Sequence, residues 1–170
     1  MNVNRYYRDR LFKFLFGNRR WKENSLSLYN ALNKTAYTDA SDLEITTLED
    51  VIYMGMKNDV SFIVDGNLSI IEHQSTYNLN MPVRGLLYYA RLVDKYIQKN
   101  NMDIFGTTRL MLPRPRYVIL YNGKKQIENR SRMKLSDSYM SEGKFDVEVT
   151  ATMIDINIDS SDEVLARCPI

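Results

Sequence analysis

With 170 residues, 44% of them apolar and 26% charged, the chain has the length and balance of one globular domain with a real core, and wholesale disorder and fibrous classes are excluded. Its 23 Lys and Arg against 21 Asp and Glu leave a formal net charge of +2, too small to imply a nucleic-acid partner, so any basic surface has to come from local clustering. A single cysteine, Cys168, and a single histidine, His73, exclude a disulfide framework, a thiolate zinc cluster and His-rich metal sites, while a carboxylate site for Mg²⁺ stays open.

No apolar run approaches the ~18–20 residues of a membrane span, and the Tyr- and Arg-rich N-terminus has no signal-peptide core, so a reduced, cytoplasmic compartment is the expectation. Along the chain, Tyr6–Phe16 is a predicted helix with Tyr7, Leu11, Phe14 and Leu15 on helical spacing, widened by Phe12 and Phe16 and stopped at Gly17. Trp21–Leu32 is a second, with Leu28, Ala31 and Leu32 on one side; Thr35–Thr47 is polar and reads as loop. Val51–Met56 is β-compatible. Asp59–Val64 and Leu68–Thr76 flank Asp65-Gly66-Asn67 and predict a hairpin. Asn80–Ile97 predicts a long helix with Pro82 in its first turn and a stripe of Leu86, Ala90, Val93 and Ile97, ended by Asn100 and Asn101. Tyr117–Tyr121 reads as a buried strand entered through Pro113 and Pro115 and left through Asn122-Gly123. Lys124–Lys144 reads as a basic surface excursion, Phe145–Asn157 as a long strand, and Ser160–Ile170 as a very short helix. The order of helix, three strands, helix, strand and strand indicates an α/β domain with a mixed sheet, spanning residues 1–170.

The chemistry sits in the hairpin. With Gly66-Asn67 as its two-residue loop, Asp65 faces Leu68, Asp59 falls opposite Gln74, and Ser61 falls opposite Glu72. Asp59, Glu72 and Gln74 then share one face, with Asp59 and Glu72 as diagonal neighbours roughly 7–8 Å apart, and His73 points to the other face. Phe62, Val64, Ile70 and Ile71 make these strands apolar, and carboxylates placed there should pair or bind metal. Two carboxylates, a backbone carbonyl and waters suit Mg²⁺; the alternative is a hairpin end whose polar residues face solvent.

Asn58-Asp59, twelve intervening residues and Glu72-His73-Gln74 resemble the PD-(D/E)XK nuclease signature. The wider chain resembles one branch, the recombination-promoting nuclease/putative transposase family, through Asp9–Gly17, Asn58–Phe62, Ile71–Thr76, Asn80–Arg84, Tyr88–Arg91, Tyr121-Asn122-Gly123, Leu135-Ser136-Asp137 and Ile154–Asn157. The resemblance implies an αβββαβ restriction-endonuclease-like core and a Mg²⁺-dependent deoxyribonuclease, tolerant of Mn²⁺, associated with recombination or transposition. Asp59 and Glu72 would hold the metal and Gln74 would position the water. Asn58 stands at the usual Pro, which only shapes strand entry. Gln74 stands at the usual Lys; it donates and accepts hydrogen bonds but carries no charge, as is common in this family, leaving transition-state charge to the metal and to Lys13, Arg84 or Arg91. Relatives of this kind continue with more helix, so the end at Ile170 leaves three readings open: a C-terminally truncated copy, a degenerate copy, or an excised piece of a longer chain. A catalytically retired module that binds DNA or a full-length relative is the alternative, and a Mg²⁺ phosphoesterase acting on RNA a third reading; the intact Asp59 and Glu72 favour an enzyme, whose partners would be DNA and a second copy as a homodimer or a full-length relative.

Other candidates keep two readings each. Asp9 and Lys13, one turn apart, either approach the metal site or form a surface pair. Glu49 and Asp50 either extend the carboxylate cluster or cap a turn. Arg84 and Arg91 share a helix face that either contacts DNA phosphates or is solvated. Lys124 and Lys125, with Arg130, Arg132 and Lys134, either neutralise phosphates or form a solvated run. Tyr77 either stacks on a base or packs.

Overall fold

A central strand carrying alternating demands on its two faces organises the molecule. The computed structural model describes residues 5–47 and 59–157 with Val164, Arg167 and Cys168, residues 5–9 through their helical backbone only. Two helices, α1 (Arg5–Phe16) and α2 (Lys22–Asn33), precede β1 (Leu43–Ile45), β2 (Val60–Val64) and β3 (Asn67–Gln74). Helix α3 (Met81–Lys99), β4 (Arg114–Tyr121), β5 (Arg130–Lys134) and β6 (Thr150–Asp155) complete the order. The fold is α/β: one six-stranded mixed sheet ordered β1-β2-β3-β4-β6-β5, antiparallel from β1 to β3, parallel at β3-β4 and β4-β6, and antiparallel again at β6-β5. Helix, three strands, helix and strand follow one another as the sequence indicates, compatible with a nuclease-like core.

Period two divides the core. Val60, Phe62, Val64, Ile71, Val118, Leu120 and Ile154 face α1 and α2; Leu68, Ile70, Tyr117, Ile119, Tyr121, Ala151 and Met153 face α3. Strands β3 and β4 are therefore covered on both faces, which is why Tyr117–Tyr121 reads as an unbroken apolar run and why Ser69, Glu72 and His73 of β3 are buried beside Leu68, Ile70 and Ile71.

Several boundaries differ from the sequence reading. The hairpin loop is Asp65-Gly66, both with positive φ (46° and 68°), and Val64 pairs with Asn67. This is the geometry of a tight hairpin turn matched to strand twist. Relative to a Gly66-Asn67 loop the register moves by two residues, so the side-chain faces are unchanged but the opposed partners are not. The stretch 35–47, read as loop, supplies β1: three residues that owe their extension to pairing with β2 rather than to an apolar run of their own. The Val51–Met56 strand lies outside the described residues. The basic excursion contains β5, where exposed Arg130, Arg132 and Lys134 alternate around buried Met133, a charged edge strand that discourages further pairing. The long strand is confined to Thr150–Asp155, leaving Phe145 and Val147 exposed. Of the short C-terminal helix, Val164 and Arg167 are helical and the rest lies outside the described residues.

Both outer helices are rotated relative to the expected stripes. In α1, Phe12 and Phe16 turn to the core while Leu11 and Phe14 are exposed. In α3 the buried line is Met81, Gly85, Tyr88 and Leu92, whereas Ala90 is exposed and Leu86, Val93 and Ile97 are half-buried. Gly85 explains the second rotation. A Cβ there would lie 2.5 Å from the Tyr117 ring, so the bare backbone lets α3 seat directly on β4. Gly85→Ala is expected to lower stability by about 1–3 kcal/mol through overpacking, read as a fall in the urea midpoint at constant m-value.

Candidate active site

At the open end of the β2-β3 hairpin, one step beyond the Val60-Ile71 pair, Asp59 comes directly opposite Glu72. Two backbone amides lock this arrangement: Asp59 N–H donates to Glu72 Oε1 (3.0 Å), and His73 N–H donates to Asp59 Oδ2 (2.8 Å). The two carboxylates are thus opposed across the hairpin, not diagonal as the Gly66-Asn67 loop would place them.

Each carboxylate also meets a cation. Lys13 Nζ, reaching across from α1, lies 3.1 Å from Asp59 Oδ1. Arg84, in the first turns of α3, places NH2 2.5 Å from Glu72 Oε2. Tyr88, one turn further on α3, accepts from the Arg84 Nε (3.1 Å) and NH2 (2.8 Å) and holds the guanidinium in place. Gln74, on the same strand face as Glu72, puts Nε2 3.5 Å from Glu72 Oε2, at the outer limit of a hydrogen bond, so its amide is weakly committed. His73 projects to the opposite face, its ring stacked 5.6 Å from Phe12.

Glu72 is fully buried in a central strand. Burial, and then the charge of Asp59, push its carboxyl up to about 8, with Arg84 opposing the rise. Burial likewise raises Tyr88 and Tyr117, and Glu72 adds to both. The Tyr117 ring lies under Gly85, and its buried hydroxyl has no hydrogen-bond partner among the described residues. Arg84 is the only cation among the described residues in contact with Glu72, and it offsets the cost of a charge there.

Of the residues singled out in the sequence, the fold brings together Asp59, Glu72, Gln74, Lys13 and Arg84. Arg91 lies two turns along α3, about 10 Å further from the site by helix geometry. Lys124 and Lys125 are exposed in the loop after β4; the Lys125 ammonium lies 3.6 Å from the Tyr77 ring centroid, and its backbone N–H donates to the Tyr121 hydroxyl (3.0 Å). Because Tyr121 pairs with Gln74 in the sheet, this loop borders the same end as the carboxylates. Arg130, Arg132 and Lys134 lie on the far edge strand. The Asp9 side chain, Glu49 and Asp50 lie outside the described residues. What the sequence did not assign is Arg84 as the ion partner of Glu72, braced by Tyr88. The available signal was the Arg84-Tyr88 spacing of four on the helix that follows the carboxylate strand.

Among the described residues no group of three or more His, Cys, Asp or Glu side chains gathers as a metal cage. Asp59 and Glu72 are an all-oxygen pair: both Asp59 oxygens and Glu72 Oε1 each take one donor and keep lone-pair capacity, while Glu72 Oε2 already takes Arg84 and, weakly, Gln74. That set fits a hard divalent ion that keeps most of its water, as Mg²⁺ does when held by one or two carboxylates. Among the described residues no helix is long and apolar enough to cross a membrane. Comparison with family models, with curated proteins and with solved structures finds no match.

The raised Glu72 carboxyl has a consequence for stability. Between 4.5 and about 8 the folded protein holds a proton on Glu72 that the unfolded chain releases, so stability falls as pH rises through that window. Urea unfolding of the metal-free protein at several pH values should show this decline, and Glu72→Gln should flatten it. Arg84→Ala should extend the decline to higher pH and cost about 1–3 kcal/mol at the alkaline end, where the buried carboxylate loses its partner.

Proposed function

We propose that this chain is a metal-dependent DNA endonuclease of PD-(D/E)XK type, hydrolysing phosphodiester bonds in recombination or transposition. The observation that carries the reading is the direct opposition of Asp59 and Glu72, cross-tied by each other's strand amides, with Gln74 beside them and a cation on either side. Such a pair at the end of two apolar strands is costly to fold, which argues for a use.

Asp59 and Glu72 would hold Mg²⁺ or Mn²⁺; when bound, such an ion activates water and stabilises charge on the phosphoryl oxygens. Gln74, weakly tied to Glu72, has a free acceptor and a second amide hydrogen with which to orient the attacking water. It brings no charge, and the chain's own compensation is Lys13 and Arg84. Their side chains are 40% and 31% exposed, enough to exchange a carboxylate contact for a phosphodiester oxygen. The preference for DNA rests on the family resemblance, because no group in the site is placed to read a 2′-hydroxyl.

One observation favours a second reading, a retired nuclease-fold module that binds DNA or a relative. Among the described residues, Asp59 and Glu72 against Lys13 and Arg84 make a cluster with no net formal charge, so these four groups supply no excess negative field to attract a cation. The two readings separate in a plasmid-nicking assay. The nuclease reading expects cleavage with Mg²⁺ or Mn²⁺, none in EDTA, and a loss of roughly 10³-fold or more in Asp59→Asn, the scale for groups that touch reacting atoms. Asn is the informative substitution because it keeps an acceptor for the His73 amide, which Ala would leave unpaired. Gln74→Lys should preserve or raise the rate. Absence of cleavage under every divalent ion, with a folded protein that still binds DNA, would favour the retired module.

A further inference from the structure

A cluster of positive charge borders the carboxylate site at the end of α1. Residues 10–21 hold Arg10, Lys13, Arg19 and Arg20 and no acid, in a chain whose formal net charge is only +2. The fold turns this stretch into an open groove of about 530 Å³ lined by Arg10, Lys13, Phe14, Gly17, Asn18 and Arg19. Arg10 and Lys13 are three apart on α1 and so neighbour each other on one helix face. Arg19 faces them from the turn that follows, whose backbone is fixed by the Asn18 side chain accepting from Arg20 N–H (2.9 Å).

Two aromatic rings are exposed on the same segment. Phe14, within the groove, is 57% exposed, and Trp21, two residues beyond Arg19, is 48% exposed. Neither ring belongs to the core; Phe12 and Phe16 fill that role for α1. Cations that track a backbone, interleaved with unburied rings, are what an unpaired nucleic-acid strand requires: phosphates take the charges and bases take the rings. A duplex keeps its base faces stacked inside and could use only the charges.

The groove is fixed relative to the carboxylates. Lys13 lines it and contacts Asp59. At its floor Gly17 N–H donates to Lys13 O (2.8 Å), and a Cβ on Gly17 would lie 2.9 Å from that carbonyl and 3.5 Å from Val60 Cγ2. The end of α1 is thus pressed onto the start of β2, next to Asp59.

We propose that the α1–Trp21 groove binds a single-stranded segment of DNA and leads its backbone to Asp59 and Glu72. The proposal deepens the nuclease reading by naming the form of the substrate at the site, and it rests on that reading for the link to cleavage.

The test uses the full chain in EDTA, so that binding is read without cleavage. The probes are an oligothymidylate of about 12 nucleotides, within the span such grooves cover, and a duplex of the same length. Binding is followed by anisotropy of the labelled probe and by fluorescence of Trp21, the single tryptophan of the chain. The strand should quench Trp21 and bind about tenfold or more tighter than the duplex. Arg10→Ala/Arg19→Ala should weaken strand binding about tenfold or more and reduce the salt slope by about 1.4, at ~0.7 per phosphate contact. Arg10→Lys/Arg19→Lys should recover most of it. Phe14→Ala should weaken the strand about fivefold or more and leave the duplex unchanged. The proposal is overturned if the double Ala variant binds the strand as the parent does. It is equally overturned if the duplex binds as tightly as the strand and Phe14→Ala changes neither. Failure of the two readings is distinguishable: Arg10- and Arg19-dependent strand binding without cleavage under any divalent ion removes the nuclease and leaves the groove, whereas cleavage indifferent to Arg10 and Arg19 removes the groove and leaves the nuclease.

Discussion

A carboxylate with no exposed surface, in the middle of a six-stranded sheet, is the constraint around which this molecule is arranged. Glu72 sits on a strand covered on both faces, and its charge is tolerable only because three elements converge on it. Strand β2 supplies the Asp59 amide, β3 the neighbouring Gln74, and α3 the Arg84 guanidinium. Removing a partner from such a group costs far more than its presence contributes, so each element is held to its position by a polar contact as well as by apolar packing.

The same constraint explains why α3 lies where it does. To put Arg84 and Tyr88 over Glu72 the helix must approach β4 closely, and Gly85, on the inward side between them, makes that approach sterically feasible. The helix then buries Met81, Tyr88 and Leu92 on the sheet. On the opposite face α1 is held to the start of β2 by Gly17 and by the Lys13-Asp59 pair. The carboxylate pair is thus bracketed by one cation from each helical layer. This double bracketing puts one partly exposed cation on either side of the pair, which under the proposed function would meet an incoming phosphodiester. The Glu72 charge state and any metal occupancy are coupled through it, because a held divalent ion must displace the proton that burial favours.

Much of this was legible in the residues. A period of two is robust to error: misplacing the hairpin loop at Gly66-Asn67 instead of Asp65-Gly66 shifted the register by two and left Glu72, Gln74 and His73 on their correct faces. The central strands were legible because burial on both sides demands continuous Val, Ile and Leu. Helical phase was less robust. Amphipathic stripes in α1 and α3 were each drawn through the larger apolar residues, but Leu11, Phe14 and Ala90 are exposed. In α3 a glycine decides the contact line, and a residue without a side chain leaves no mark in a hydrophobicity pattern. Strands β1 and β5 were illegible for a related reason. Their extension comes from partners in β2 and β6, and the charged alternation of β5 is what an edge requires. The Arg84-Glu72 pair joins two elements by a contact no spacing rule encodes.

Under the proposed function Asp59 and Glu72 together would hold a divalent ion, and Mn²⁺ electron paramagnetic resonance tests this without dependence on turnover. Titrating Mn²⁺ into the full chain, alone and with an uncleavable phosphorothioate oligonucleotide, should show one bound ion per chain, tighter with the oligonucleotide and as pH rises toward 8, the range in which Glu72 releases its proton. Both Asp59→Asn and Glu72→Gln should abolish that signal while the protein stays folded. Retention of the bound-Mn²⁺ signal in either variant, or its absence from the parent protein with and without the oligonucleotide, would contradict the account.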